Sequence, residues 1–484
     1  LGRNINPWGQ VRVSSKDAST LMREAHALKT AGRLSEAILR YGEALAANPA
    51  SGVAEHNLAA CLGDAGRWPE AEPHIRAAFA KGIDAPETWL LKARGDLSQG
   101  RLDAADAAFR EAIRRRGDMY DAHRELAQLI WMRTGDLKAA TAEVDRALVG
   151  VPRHPALLIV KAQALEFAGK ADEAFALMSQ LAEAMPNQAS LLIQAAQLAT
   201  GLGRGADAVR LAETAQRVAP NDLPVLVTLA EALLSAGDAQ RASDIAGDMR
   251  RKWSTNQHAI ALQATAWRVL GDARYRQLYD YDSLVAPGFL DTPAGWTSRD
   301  AYVGDLSTAL LSLHAFEEHP FNQSLRHGSQ AVDILQRDHP ALRALPSALD
   351  GPIRRHLAAL GHGADPVRAR NRGTYAFQGM WSVRLRHSGY HVDHVHPQGW
   401  LSSACYIETV PPKGHEGWIR FGQPGVSTRP ALAAEHYVEP KPGMLVLFPS
   451  YMWHGTVPFS GDARRLTFAF DLVPGPAPIS DDAD

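Results

Sequence analysis

Cysteine is nearly missing from this sequence: Cys61 and Cys405 are its only two in 484 residues. They fall on opposite sides of a change in sequence pattern, which excludes a disulfide framework and a cysteine-rich zinc site and fits a reducing compartment. Long apolar runs are missing too. No stretch of eighteen or more apolar residues occurs, so a membrane-spanning helix is not expected. The opening Leu1–Pro7 lacks the charged and apolar regions of a signal peptide. Neither sign of charge dominates: 51 basic residues against 53 acidic ones leave a net charge of −2. That is too little positive charge for a general phosphate-binding surface, so nucleic acid is not an expected partner. These absences lead to the expectation of a cytoplasmic protein without a membrane partner, and they leave the oligomeric state unknown. What is present is ordinary globular material, 46% hydrophobic and 21% charged, on a chain long enough for two or three cores.

The first half repeats itself. Glycines followed five residues later by alanine stand at Gly32, Gly66, Gly100, Gly135, Gly169, Gly203, Gly237 and Gly271, with gaps of 34 residues and one of 35. The partner alanines are Ala37, Ala71, Ala105, Ala140, Ala174, Ala208 and Ala242, small residues where the second helix of each pair must approach the first. Only the eighth unit breaks the pattern, with Arg276 at that place. Pro49, Pro152, Pro186 and Pro220 follow twelve residues after the alanines, where proline stops a helix. This period and these residue types resemble tetratricopeptide repeats over roughly residues 15 to 280. The resemblance implies an α-solenoid of helical hairpins whose concave groove binds extended peptide or protein segments. Nothing in the sequence singles out the groove residues that bind.

The helical period fades after Asp272. Pro287-Gly288 and Thr292-Pro293-Ala294-Gly295 read as turn punctuation, helices are expected over 301–317 and 345–360, and the segment 319–330 between them reads as polar and turn-rich. From Thr374 the pattern changes to short β-like runs: Ala376 to Arg386, Leu401 to Val410, Trp418 to Phe421, Met444 to Phe448 and Arg465 to Leu472. Short strands without βαβ alternation point to a small sandwich or barrel of the jelly-roll or cupin class.

Within this β region, Gly389-Tyr390-His391-Val392-Asp393-His394-Val395-His396-Pro397 packs three imidazoles and a carboxylate into six residues. In a strand, residues i and i+2 share a face, so His394 pairs with His396 and His391 with Asp393. Either pair could supply two ligands to one metal ion. A lone histidine is more often solvated or a satisfied core residue; the order of the whole constellation is what carries weight. His454 supplies a third imidazole after an apolar run, and Arg465 a cation on the last strand. Two close ligands, a remote histidine and a downstream arginine follow the layout of non-haem Fe(II) oxygenases, which keep positions open for O₂ and an oxo acid.

Residues 319–473 also resemble 2-oxoglutarate and Fe(II)-dependent oxygenases that follow tetratricopeptide arrays, through the phrases Gln323-Ser324-Leu325-Arg326, His394-Val395-His396-Pro397, Trp400-Leu401-Ser402-Ser403 and Leu447-Phe448-Pro449-Ser450. More distantly, residues 382–471 are similar to aspartyl/asparaginyl β-hydroxylases. The resemblance implies a double-stranded β-helix, Fe(II), 2-oxoglutarate as cosubstrate, and O₂. It also implies that His394 and His454 are metal ligands and that Arg465, with Thr467, binds the distant carboxylate of the keto acid. Ser382, on the preceding strand, can contact the keto acid or be an ordinary strand serine. One departure stands out: such oxygenases place Asp or Glu two residues after the first histidine, and here His396 occupies that place. The metal set is therefore expected to be His394, His396 and His454, with His391, Asp393 and His454 as the alternative register.

The fold class expected is multi-domain α plus β, an N-terminal α-solenoid followed by a double-stranded β-helix (jelly-roll or cupin-like) with supporting helices. Its divisions are an N-terminal extension over 1–14, a repeat array over 15–282, a linker with supporting helices over 283–372, an oxygenase core over 373–475 and a disordered acidic tail over 476–484. The function expected is a 2-oxoglutarate-dependent dioxygenase hydroxylating a side chain of a peptide or protein recruited by the array. The alternatives are the same chemistry on a small molecule, with the array binding a partner protein, and a non-catalytic scaffold with a degenerate barrel.

Overall fold

The computed structural model describes residues 17–321 and 323–476. The extension expected over 1–14 and, but for Pro476, the expected tail lie outside them. The chain divides into two compact units, one of Leu1–Leu129 with Lys138–Val160, the other of Ile130–Leu137 with Lys161–Asp484. Among the described residues no helix is long and apolar enough to cross a membrane.

The first unit contains helical hairpins such as Ala18–Thr30 with Leu34–Ala47 and Gly52–Asp64 with Trp68–Ala80. The second continues with Ala189–Gly201 and Gly205–Val218, Leu223–Ala236 and Ala239–Lys252, and Gln257–Leu270. The repeat glycines from Gly32 to Gly271 all have φ between +65° and +93°. That left-handed turn ends the first helix of each pair without the penalty a Cβ would bring. The alanines five residues on are at most 2% exposed, as close helix approach requires. In the eighth unit, where arginine replaces alanine, the second helix shrinks to Arg274–Leu278.

Nine strands among the described residues build the rest of the second unit: β1 (Ala286–Phe289), β2 (Leu325–Val332), β3 (Tyr375–His391), β4 (Leu401–Glu408), β5 (Ile419–Phe421), β6 (His436–Val438), β7 (Met444–Pro449), β8 (His454–Thr456) and β9 (Arg465–Pro474). Six form an antiparallel sheet in the order β1-β7-β4-β9-β3-β2, and three a smaller sheet, β6-β5-β8. The helical solenoid is thus followed by an antiparallel β-rich region of the jelly-roll kind. The sheets meet through apolar contacts such as Phe421 on β5 against Phe448 on β7, ring centroids 5.0 Å apart. Helix Arg299–Leu311 packs against β4 and helix Leu345–Leu360 against β1.

Two segments read as turns are strands. Pro287-Gly288 lies in β1, an edge strand, where a proline without an N–H is tolerated. Residues 325–332 form β2, the opposite edge, whose polar side chains hid its β character. Both pair with strands more than forty residues away, which no local pattern can reveal.

The last hairpins of the array are seated on the barrel within this unit. Gln257 N–H donates to the Pro397 carbonyl at 3.1 Å, and Trp453 Nε1 donates to Thr265 Oγ1 at 2.8 Å. The Tyr279 hydroxyl donates to Tyr451 O, and the Tyr451 hydroxyl donates to Leu278 O. Glu435 collects Tyr275, Tyr281 and Arg276.

Candidate metal centre

β3 ends at His391, so the histidine cluster is not one strand, as expected, but a strand end and an extended strap. Val392 N–H bonds to Ser324 O, His394 exchanges backbone hydrogen bonds of 2.9 and 3.1 Å with His454, and His396 N–H bonds to Ser450 O. The strap keeps the alternation of a strand, so His394 and His396 still project together, and the single bridge sets His454 opposite them. Histidines sixty positions apart in the chain thereby meet: the ligand atoms of His394, His396 and His454 all lie within 4.8 Å of one another, and the Nε2 atoms of His394 and His396 are 3.2 Å apart.

The other ring nitrogens decide the protonation. His394 Nδ1 faces Val392 O at 2.8 Å, His454 Nδ1 faces Met452 O at 2.9 Å, and His396 Nδ1 faces both carboxylate oxygens of Asp471 at 2.7 Å. These oxygens only accept, so each Nδ1 carries the proton and each Nε2 presents a bare lone pair. Burial, then the neighbouring ring of His396, pushes His394 down to about 3, and burial holds His454 well below the usual imidazole range. Neutral His394 and His454, with ring nitrogens that converge with Nε2 of His396, are donors of the kind a divalent ion requires.

The alternative register is not assembled. Asp393 turns its carboxylate to Arg420, at 2.9 and 2.6 Å, and burial raises its pKa against that pull. His391 stacks beside His394 with centroids 5.9 Å apart, its Nδ1 against Ser324 Oγ at 2.9 Å.

The imidazoles line a cavity of about 780 Å³. Arg465, Thr467, Ala469 and Asp471 line it from alternate positions of β9, with Phe468 at its edge, while Leu466, Phe470 and Leu472 are buried away from it. Arg465 is 2% exposed, donates from Nε to Gly417 O at 3.1 Å and lies 5.0 Å from the Tyr406 ring centroid. Among the described residues no carboxylate forms an ion pair with it, and burial lowers its pKa. A buried guanidinium without a counterion fits an anionic ligand. Thr467 Oγ1 is 3.5 Å from Val383 O.

Ser382 is corrected by the fold. Its neighbours Trp381 and Val383 face the cavity, so strand alternation turns Ser382 to the other face, where its hydroxyl donates to Thr467 O and meets His314 Nε2 at 3.0 Å. Sequence reasoning missed Asp471. Its signal was a lone carboxylate in phase with Arg465 along an otherwise apolar strand.

Residues 379–471 match the family described as "Putative 2OG-Fe(II) oxygenase", and residues 90–155 match the family described as "Tetratricopeptide repeat". The chain thus joins a tetratricopeptide region to a region that matches this oxygenase family. The match to the oxygenase domain runs from β3 to the end of the His396–Asp471 contact and encloses all three imidazoles and Arg465; β1 and β2 lie outside it. No curated protein matches the sequence. The chain is similar to solved tetratricopeptide structures. One, from Parabacteroides merdae, is 16% identical over 51% of this chain and 97% of its own, with a TM-score of 0.38. Another, from Cytophaga hutchinsonii, is 16% identical over 50% and 98%, with a TM-score of 0.36. PilF of Pseudomonas aeruginosa is 16% identical over 43% and 94%, with a TM-score of 0.33.

Proposed function

We propose that this chain is a 2-oxoglutarate and Fe(II)-dependent dioxygenase that hydroxylates a side chain of a peptide or protein recruited by its repeat array. The observation that carries the reading is one cavity holding three converging Nε2 lone pairs and a buried Arg465 without a counterion. In this reading His394, His396 and His454 hold the metal. Fe(II), with the keto acid and O₂, supplies the oxidising power that decarboxylates 2-oxoglutarate and oxidises a C–H bond of the substrate.

The chain's own residues do the rest. Arg465 anchors the far carboxylate through its remaining N–H groups, and Thr467 beside it offers a hydroxyl to the same ligand. Asp471 keeps the proton of His396 on Nδ1 and so keeps Nε2 free. Phe167, from the last turn of array helix Pro155–Phe167, lines the same cavity, which supports delivery of a bound segment from the array into the site and a gain in effective concentration.

The test is succinate formation from 2-oxoglutarate by the full chain with added Fe(II), beside His454→Ala and Arg465→Ala. Turnover in the wild type, loss in His454→Ala and a raised KM for 2-oxoglutarate in Arg465→Ala are expected. If the wild type binds neither metal nor keto acid, the scaffold reading replaces this one.

A further inference from the structure

The cavity's lining carries three formal charges when its histidines are neutral: Arg465, Asp471 and Arg326. Asp471 is already taken by His396 Nδ1 and by Ser402 Oγ, at 2.7 Å each. A divalent ion and a dianionic keto acid cancel one another, as do Arg465 and Asp471 in formal charge. Arg326 is left over, in a cavity larger than a five-carbon acid needs.

Its guanidinium is held in place rather than waving in solvent. Nη1 donates to Gln323 O at 2.7 Å and to Leu325 O at 2.8 Å, and the group lies 5.4 Å from the Phe167 ring centroid. Among the described residues no carboxylate forms an ion pair with it. Glu166 acts on it through space but forms no ion pair with it and lines a separate cavity with Gln163, Gln194 and Gln197.

The backbone beside Arg326 is shaped at a cost. The β2–β3 register breaks between Arg326 and Gly328, His327 has φ +55°, and a Cβ on Gly328 would stand 2.3 Å from Arg384 O. Irregularities of this kind re-aim side chains next to sites and persist where the surroundings over-determine them. Arg326 pairs in register with Tyr390, one residue from His391. With β3 between β2 and β9, Arg326 and Arg465 sit two strands apart, roughly 10 Å across the sheet, too far to share one carboxylate.

We infer that Arg326 is a subsite for an anionic group on the substrate itself, and that the occupant is the carboxylate of an acidic side chain in the recruited peptide. This rests on the oxygenase reading above. A fixed, uncompensated guanidinium selects carboxylate over its neutral amide isostere because only the charged form completes a charge-assisted pair.

The test uses the full chain loaded with Mn(II) and 2-oxoglutarate, the affinity for each being measured first. Four pools of randomised heptapeptides, with the central residue fixed as Asp, Glu, Asn or Lys, are then captured and quantified. Recovery of the Asp and Glu pools at least tenfold above the Asn and Lys pools is expected. Arg326→Gln is expected to erase the preference, and Arg326→Lys to keep part of it, with 2-oxoglutarate affinity unchanged in both. Equal recovery of the pools by wild type overturns the inference, whether or not the variants fold. So does a preference that survives Arg326→Gln, or a tenfold loss of 2-oxoglutarate affinity in that variant, which would assign the arginine to the cosubstrate. Loaded protein with no acidic preference sinks this inference alone; failure to load metal and keto acid removes the oxygenase reading and this inference with it.

Discussion

Three imidazole nitrogens without protons, held face to face, repel one another until a cation joins them. The geometry around His394, His396 and His454 tolerates that repulsion because each ring is pinned from behind, two by backbone carbonyls and one by Asp471. The pin on His396 differs in kind from the other two. A carboxylate at Nδ1 makes the imidazole a stronger donor and returns, one residue further out, the negative charge that a metal-bound Asp or Glu would have contributed. Asp471→Asn keeps the shape and removes the charge, so metal affinity should fall roughly 10- to 100-fold with little loss of folding stability. Titration calorimetry with Co(II) would check this; unchanged affinity would reduce Asp471 to a packing group. At this scale the order of two near histidines, a remote one and Arg465 was legible in the sequence, while the choice between the two registers leaned on the family resemblance. The loss of Asp393 to Arg420 was not legible, because its partner comes from a strand 27 residues away.

Hairpins in the array depend on glycine for two separate reasons, and they can be told apart. Gly205 starts a helix where an added Cβ would stand 2.8 Å from the Ala236 Cα, a backbone atom that cannot step aside. Gly201, an ordinary helical residue, has nothing within 4 Å of that position. Gly205→Ala should therefore destabilise by about 1–3 kcal/mol, while Gly201→Ala should be neutral or stabilise by up to about 1 kcal/mol. Urea unfolding midpoints of the two variants would show opposite signs; a matched loss in both would refute the argument. The 34-residue period was legible because each hairpin meets its neighbours in the same way. The strands β1 and β2 were not, since an edge strand is defined by what it pairs with.

Within the second unit, the last array helices and the barrel share buried polar contacts. A chain starting at Ser298 would lose β1 from beside β7, the Tyr279–Tyr451 pair and the Thr265 partner of Trp453 Nε1. Such a fragment should lack a cooperative unfolding transition by circular dichroism, and a sharp transition would show that the β-domain folds alone. Acid should also unfold the second unit early. Burial pushes His314 and His356 down to about 4, while the unfolded chain takes up these protons near the usual imidazole value of about 6.5. Their contribution is complete above about pH 6.5 and is lost as pH falls toward about 4, on the order of 3 kcal/mol for each. Denaturation midpoints at pH 7.5, 6 and 5 should fall in that order, and His356→Leu should flatten the slope. A slope unchanged in that variant would mean that His356 is not buried neutral.

By itself, the sequence determined the repeat period, the switch from helical to β periodicity, and the order of two near histidines, a remote one and an arginine. These are properties of residue type and spacing, which local geometry turns directly into helices and strap. Only the tertiary structure decided which register converges, that Ser382 faces away, that Asp471 stands behind His396 and that Arg326 has no counterion. Each of these depends on which strand lies beside which, and pairing between segments distant in the chain is set by the burial of the whole core rather than by any stretch of it.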